Sequence, residues 1–197
     1  MTIADQPIGE FLDGVASAQV TPSGGAVAAV GGAMGAALCE MTCVHTVRGD
    51  ESDAAAELTA TRDTLADRRA QLLALADEDA AAVDAVQAAF ESGADDARVQ
   101  AALERSTTVP METAETCLDV VERAVTVTAR GTPVAVPDAA VGAMLAHAAL
   151  GGSVSTVRAN LDGIADEAFV AEMERRAEEA EAAGEAALSA VLANAEE

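Results

Sequence analysis

The sequence predicts an all-α protein: a single-domain helical bundle with a buried small-residue central helix and long antiparallel helices. Three observations point there. Apolar residues recur at three- and four-residue spacing along almost the whole chain. Residues 26–39 run Ala-Val-Ala-Ala-Val-Gly-Gly-Ala-Met-Gly-Ala-Ala-Leu-Cys without a charge, apolar on every side, as in a helix buried all round. No strand pairs, internal repeats or linkers are visible. At 197 residues, one domain over 1–197 is the expectation, with chain enough for a substantial core. Aromatic residues are only 2% and the hydrophobic share of 51% leans on alanine, so the helices must meet closely through small side chains.

In chain order, Ile8, Phe11, Leu12 and Val15 mark one face of a short first helix ending near Ser17. The turn Thr21-Pro22-Ser23-Gly24-Gly25 then leads into a helix over about Ala26 to Val47. There a proline fixes the chain while small residues leave the first helical amides uncovered. Those amides lack intrahelical partners and carry partial positive charge, so the turn can hold an anionic group or the polar edge of a heterocycle. A flexible helix entry is the plainer alternative. Gly31, Gly32 and Gly35 allow a neighbouring backbone close approach, as in a central helix or a subunit interface.

From about Asp53 to Glu91 the pattern is one long helix, or two joined by a kink. Leu58, Leu65, Leu72 and Val86 recur at multiples of seven, and the remaining member of that series is Asp79. Its neighbours three and four residues away, Leu75, Ala76, Ala82 and Val83, are all apolar. A carboxylate on a buried stripe is costly unless paired or used, so Asp79 is either a structural hydrogen-bonding group or part of a site. Asp77, Glu78 and Asp84 are expected in solvent. Gly93 to Asp96 reads as a turn and about Ala97 to Arg105 as a short helix. Val109-Pro110 opens another helix, running to about Arg130, which Gly131 stops. Thr132 to Asp138 is expected to be extended, with Asp138 capping a helix over about Ala139 to Leu150. Gly151-Gly152 is expected to break the chain before a helix over Ser153 to about Leu161 that carries Arg158 and Asn160. The tail from Asp166 is a charged helix whose run Glu172 to Glu185 is a solvated face.

Eleven basic residues, every one arginine, stand against 34 acids, for a net charge of −23. Acids spread along the whole chain without lysine suggest a cytosol of very high salt, where repulsion is screened within about 3 Å at molar ionic strength. Nucleic acid and anionic membrane are poor partners for such a surface. Cys39, Cys43 and Cys117 suggest a reduced, cytoplasmic protein. Cys39 and Cys43, four apart with His45 nearby, invite a metal reading, but zinc takes four ligands at recognised spacings and small buried cysteines in a tight helix explain the pair. The apolar run before Glu40 is shorter than a membrane span requires and reads as a core helix. His45 and His147 are possible proton carriers, or satisfied core histidines.

Taken together, these pieces resemble one family: the cyclodeaminase domain of formiminotransferase-cyclodeaminase and its stand-alone methenyltetrahydrofolate cyclohydrolase relatives. The resemblance rests on Phe11-Leu12-Asp13-Gly14-Val15-Ala16-Ser17 followed by Thr21-Pro22-Ser23-Gly24-Gly25-Ala26, on Asp79 in the long helix, and on Val109-Pro110. Gly131 to Asp138, Ala148-Ala149-Leu150 and Val157-Arg158-Ala159-Asn160-Leu161 complete it. It covers about residues 8 to 175. The chain departs from the family turn at Ser23 and Ala26, where a third glycine and a serine are usual. Arg48 stands near the family's basic residue, and Thr132 and Thr156 replace asparagines.

The resemblance implies a tetrahydrofolate derivative as substrate, with no metal or prosthetic group, and a homodimer. Two reactions fit: hydrolysis of the methenyl bridge to the 10-formyl form, or closure of a formimino group with loss of ammonia. Hydrolysis is favoured because 197 residues leave no room for a fused transferase. A non-catalytic helical folate-binding or assembly module is the further alternative. In the catalytic reading, Asp79 balances the amidinium cation and takes a proton from water. The Thr21, Pro22, Ser23, Gly24 and Gly25 turn meets the pterin or a developing oxyanion across a folate-sized gap. Asp138 and Asn160 orient the ring, and Arg158 or Arg48 meets the glutamate tail.

Overall fold

The computed structural model describes residues 2–47 and 52–196. Within them a single 3-10 turn, Ile3–Asp5, precedes six α-helices: α1 Ile8–Val15, α2 Gly24–Thr46, α3 Asp53–Glu91, α4 Asp96–Arg130, α5 Val136–Leu161 and α6 Glu167–Glu196. Among the described residues there is no strand. Helices α2, α3, α4 and α5 form the bundle, with α2 packed against α3, α4 and α5, and α6 laid over α4 and α5.

Small residues set the geometry at the centre, as the composition requires. A Cβ on Gly35 would lie 3.0 Å from the Ala146 backbone nitrogen, and one on Gly142 would lie 3.0 Å from Cys39 Sγ. α2 and α5 therefore cross almost backbone on backbone. On the adjoining flank of α2, a Cβ at Gly32 would sit 2.5 Å from Cys117 Sγ and 3.2 Å from Leu72 Cδ1. Leu58, Leu65 and Leu72 are fully buried along the α3 seam. α3 is one continuous helix, with Ser52 as its N-cap accepting the Ala55 amide. Cys39, Cys43 and Cys117 are all buried, and desolvation pushes their thiols up to about 12, about 11 and about 12.

Two expected breaks are absent. The short helix at 97–105 and the one expected to start at Val109-Pro110 are a single helix, α4, with Pro110 inside it. Proline at 110 cannot donate to the Ser106 carbonyl four residues earlier. The Asn160 side chain makes up the loss, its Nδ2 donating to that oxygen at 2.8 Å. Nor does Gly151-Gly152 break α5. A Cβ at Gly152 would meet Ala28 Cβ at 3.9 Å, so Gly152 borders α2, while one at Gly151 would meet nothing within 4 Å. Packing of α5 against three neighbours outweighs the roughly 1 kcal/mol that each helical glycine costs.

The segment before α5 is a compact turn instead of an extended stretch, with the Ala135 and Val136 amides donating to the Thr132 carbonyl at 2.9 and 3.1 Å. Thr46 Oγ1 accepts the Thr132 amide at 2.9 Å, and Thr42 Oγ1 donates to the Ala135 carbonyl at 3.1 Å, which fastens this turn to the end of α2. α5 starts at Val136 with Ala135 as its N-cap, so Asp138 is not the cap but lies in the first turn.

Candidate functional site

Because α2 starts at Gly24, the glycine pair forms its first two positions and Ser23 is the N-cap. Thr21 and Pro22, joined by a cis peptide bond, are half-buried with Ser23. Gly24 is exposed and Gly25 is buried. The seam of α3 delivers Asp79, a residue only 4% exposed, to this point, where its carboxyl group lies directly against Gly25. A Cβ on Gly25 would stand 2.5 Å from Asp79 Cγ and 2.7 Å from Oδ2. Ser23 Oγ donates to Asp79 Oδ2 at 3.2 Å, and the Ala26 amide donates to the same carboxylate. Nothing lies within 4 Å of where a Gly24 Cβ would be, so the outer face of the turn is sterically open.

The acid and the uncovered turn are thus in contact, with no folate-sized gap between them. The reason is electrostatic as well as steric. The first amides of α2 are partially positive and need acceptors, and a buried carboxylate needs donors. Burial still dominates: desolvation raises Asp79 above the ordinary carboxylate value, while Ser23 and the Ala26 amide pull in the opposite direction.

Two flanking acids of α3 hold other points of the chain ahead of α2. Asp77 Oδ1 accepts the Ile3 amide at 2.9 Å, and Asp84 Oδ1 accepts Thr21 Oγ1 at 3.1 Å. Both were expected simply to face solvent, and Asp77 is half-buried instead. A shallow recess of about 200 Å³ adjoins the turn, lined by Phe11, Gly14, Thr21, Pro22 and Asp77 among others.

The antiparallel run of α5 against α2 decides which other residues come near. Ala28 is level with Gly152, and Cys39 with Ala139. The last turns of α5 therefore lie towards Gly24, and Arg158 and Asn160 come to that end of the bundle. Both are already engaged. Arg158 makes a bidentate pair with Glu181, at 2.9 and 2.7 Å, and reaches Glu174, which keeps its guanidinium firmly protonated. Asn160 Nδ2 is committed to the carbonyl that Pro110 leaves without a partner, so this half of its amide serves the fold.

Asp138 goes to the opposite end. It lines a cavity of about 330 Å³ with Met41, His45, Thr132, Val134 and Ala135, beside the last turn of α2. From Gly24 to His45 along α2 is about 30 Å at 1.5 Å per residue, so Asp138 and Asp79 of one chain cannot meet the same small molecule. His147 lies by Gly184 of α6, away from the Gly24 turn. Arg48 falls outside the described residues. The structural use of Asn160 was not read from the sequence, although an in-helix proline with an amide side chain fifty residues later is a signal that points to it.

Comparison with known proteins adds a consistent set of relatives. The family model described as formiminotransferase-cyclodeaminase matches residues 7–179. The chain is 34% identical over 177 residues to a methenyltetrahydrofolate cyclohydrolase from Methylorubrum extorquens, with 85% of each chain covered. Its fold matches the crystal structure of formiminotetrahydrofolate cyclodeaminase from Thermotoga maritima with a TM-score of 0.93, at 31% identity and with 98% of each chain covered.

Proposed function

Since the chain belongs to the formiminotransferase-cyclodeaminase family, we propose that it is a methenyltetrahydrofolate cyclohydrolase, hydrolysing 5,10-methenyltetrahydrofolate to 10-formyltetrahydrofolate. The observation that carries the reading is the buried Asp79 carboxyl group held on the Ser23–Ala26 turn, beside the open face of Gly24.

The substrate is a cyclic amidinium cation. A carboxylate in a poorly solvated position attracts it more strongly than one in bulk water. Water adds to the bridging carbon, and Asp79 takes one of its protons. As the bond from that carbon to N5 breaks, Asp79 returns the proton to N5. The hydroxyl left on the carbon loses its own proton to solvent and becomes the formyl oxygen on N10. One water is consumed and one proton released. A carboxyl group whose proton affinity is raised by burial suits both halves of this transfer, since a general base works best when its pKa approaches the working pH. Donors at the helix start can stabilise oxygen as negative charge builds on it. No metal or prosthetic group enters these steps.

Further parts of the reading are proposals too: a homodimer, a cytoplasmic location and a salt-rich cytosol, the last supported by the net charge of −23. The relationship to the Thermotoga cyclodeaminase motivates a second reaction, ring closure of formiminotetrahydrofolate with loss of ammonia. Both are tested together in concentrated KCl. Enzyme-dependent loss of methenyl absorbance above the spontaneous rate supports the hydrolase. Ammonia release from the formimino substrate, with no acceleration of methenyl hydrolysis, would transfer the assignment to the cyclodeaminase.

A further inference from the structure

Ser23 stands where a serine usually serves its own helix. It is the N-cap of α2, in the extended conformation of a capping residue, with φ −109° and ψ −170°. From that position the side-chain oxygen ordinarily accepts an amide two or three residues on. The heads of three other helices show this arrangement. Ser52 accepts the Ala55 amide at 3.2 Å ahead of α3, and Asp95 accepts the Arg98 amide at 2.9 Å ahead of α4. Asp166 accepts the Ala168 and Phe169 amides at 2.9 and 3.2 Å ahead of α6.

Ser23 makes no such bond to α2. Its hydroxyl turns across to α3 and donates to Asp79 Oδ2 at 3.2 Å. The Ala26 amide, three residues after Ser23 and the usual partner of a cap there, donates to the Asp79 carboxylate instead. The two side chains have thus exchanged tasks: the acid of α3 caps α2, and the cap residue serves the acid. Capping alone does not require this, because Ser23 carries an oxygen of its own at the head of the helix. Packing does not require it either. Leu58, Leu65 and Leu72 fill the same stripe of α3, and an apolar group at position 79 would leave no buried carboxylate to satisfy.

Among the described residues no other side chain donates to Asp79, and the charged groups around it are occupied elsewhere. On α3, Asp77 accepts the Ile3 amide, Asp84 accepts the Thr21 hydroxyl, and Glu78 pairs with Arg105 of α4, which also holds Glu112. α2 has no ionisable side chain before Cys39, whose buried thiol stays protonated. The chain ahead of α2 bears Asp5, Glu10 and Asp13, and the end of α5 brings Arg158, paired with Glu181 and Glu174.

We infer that Ser23 is a positioning residue for the general base: its hydroxyl fixes Asp79 Oδ2 on the turn, and so orients the carboxylate that takes the proton from water. Ser23 therefore acts through Asp79 and not on the pterin. This rests on the assignment of Asp79 to methenyl hydrolysis. A hydroxyl that donates to a carboxylate favours its ionised form, against the burial that favours the neutral one. The base must be ionised to act, so losing the hydroxyl moves the acid limb of the rate profile to higher pH.

The test is the pH dependence of methenyltetrahydrofolate hydrolysis in concentrated KCl, with each variant verified as folded by circular dichroism. Ser23→Ala and Ser23→Gly both remove the hydroxyl. Each should raise the midpoint of the acid limb by about one to two pH units and lower kcat along that limb about 10- to 100-fold, with KM and the alkaline plateau changed far less. Ser23→Thr keeps a hydroxyl and should restore the wild-type midpoint. An unmoved midpoint in Ser23→Ala and Ser23→Gly, or a midpoint raised equally in Ser23→Thr, would overturn the role. A raised KM with an unmoved midpoint would place Ser23 on the substrate instead. The contact is also read without turnover. The Asp79 carboxyl carbon, labelled with carbon-13 and assigned through Asp79→Asn, should titrate about one to two pH units higher in Ser23→Ala than in the wild type. That displacement in a wild type and variant without hydrolase activity would sink the folate assignment and leave the hold of Ser23 on Asp79 standing.

Discussion

Replacing Gly25 by alanine tests the contact on which the site is built, because its neighbour supplies the control. Alanine in place of a helical glycine ordinarily stabilises by about 1 kcal/mol. At Gly24 nothing lies within 4 Å of the added methyl group, so Gly24→Ala should be neutral or gain that amount. At Gly25 the methyl would lie 2.5 Å from Asp79 Cγ, and ordinary contact begins near 3.4 Å. The carboxylate must retreat by roughly 1 Å, a distance that stretches its 3.2 Å bond from Ser23 beyond hydrogen-bonding range. A hydrogen bond to a charged group contributes about 1.5–3 kcal/mol, and the Ala26 amide loses its acceptor as well. After subtracting the propensity gain, a net loss of about 2–3 kcal/mol remains. For a chain of this size that is a fall of about 4–12 °C in melting temperature, read by circular dichroism in concentrated KCl. Equal melting of Gly25→Ala and Gly24→Ala would show that Asp79 does not rest on this turn.

Other consequences follow from the same geometry. Burial raises Asp79, so the unfolded chain loses this proton first as pH rises, and native stability declines from about pH 4 until the native group also ionises. Asp79→Asn removes that decline, so denaturation midpoints measured from pH 4 to 8 should move in the variant's favour as pH increases. Asn160→Ala leaves the Ser106 carbonyl without its donor and should cost about 1–3 kcal/mol. With Pro110→Ala present the helix supplies its own amide, so the same substitution should cost markedly less in a double-mutant cycle. Finally, 34 acids against eleven arginines repel over about 10 Å at 0.1 M salt but only about 3 Å at 1 M. The melting temperature should therefore rise by several degrees from 0.1 to 3 M KCl, and a salt-independent melt would count against adaptation to a saline cytosol.

How far the sequence carried this picture varies by element. The small-residue helix, the leucine seam of α3 and the misfit of Asp79 within it were legible because helical spacing alone fixes which side chains share a face. The continuity of α4 and α5 was not, since proline and paired glycines are local signals and the forces that override them are tertiary. Pro110 is tolerated because Asn160, fifty residues later, satisfies Ser106. Gly152 is tolerated because α2 lies against it. Asp138 looked like a cap beside prolines, yet the turn closed by Thr132 and anchored by Thr46 starts the helix earlier. Its distance from Asp79 depends on the direction in which α5 crosses α2, which no local pattern reveals. The commitment of Arg158 to Glu181 is likewise a contact between helices, invisible in a tail that reads simply as acidic.

The most direct test of the account is steady-state hydrolysis of methenyltetrahydrofolate by the wild type and Asp79→Asn, in concentrated KCl and with both proteins verified as folded. A general base at Asp79 predicts a fall in kcat of about 10²- to 10⁴-fold with KM changed far less. Equal kcat in the two proteins would contradict it and reduce Asp79 to a carboxylate that holds the start of α2.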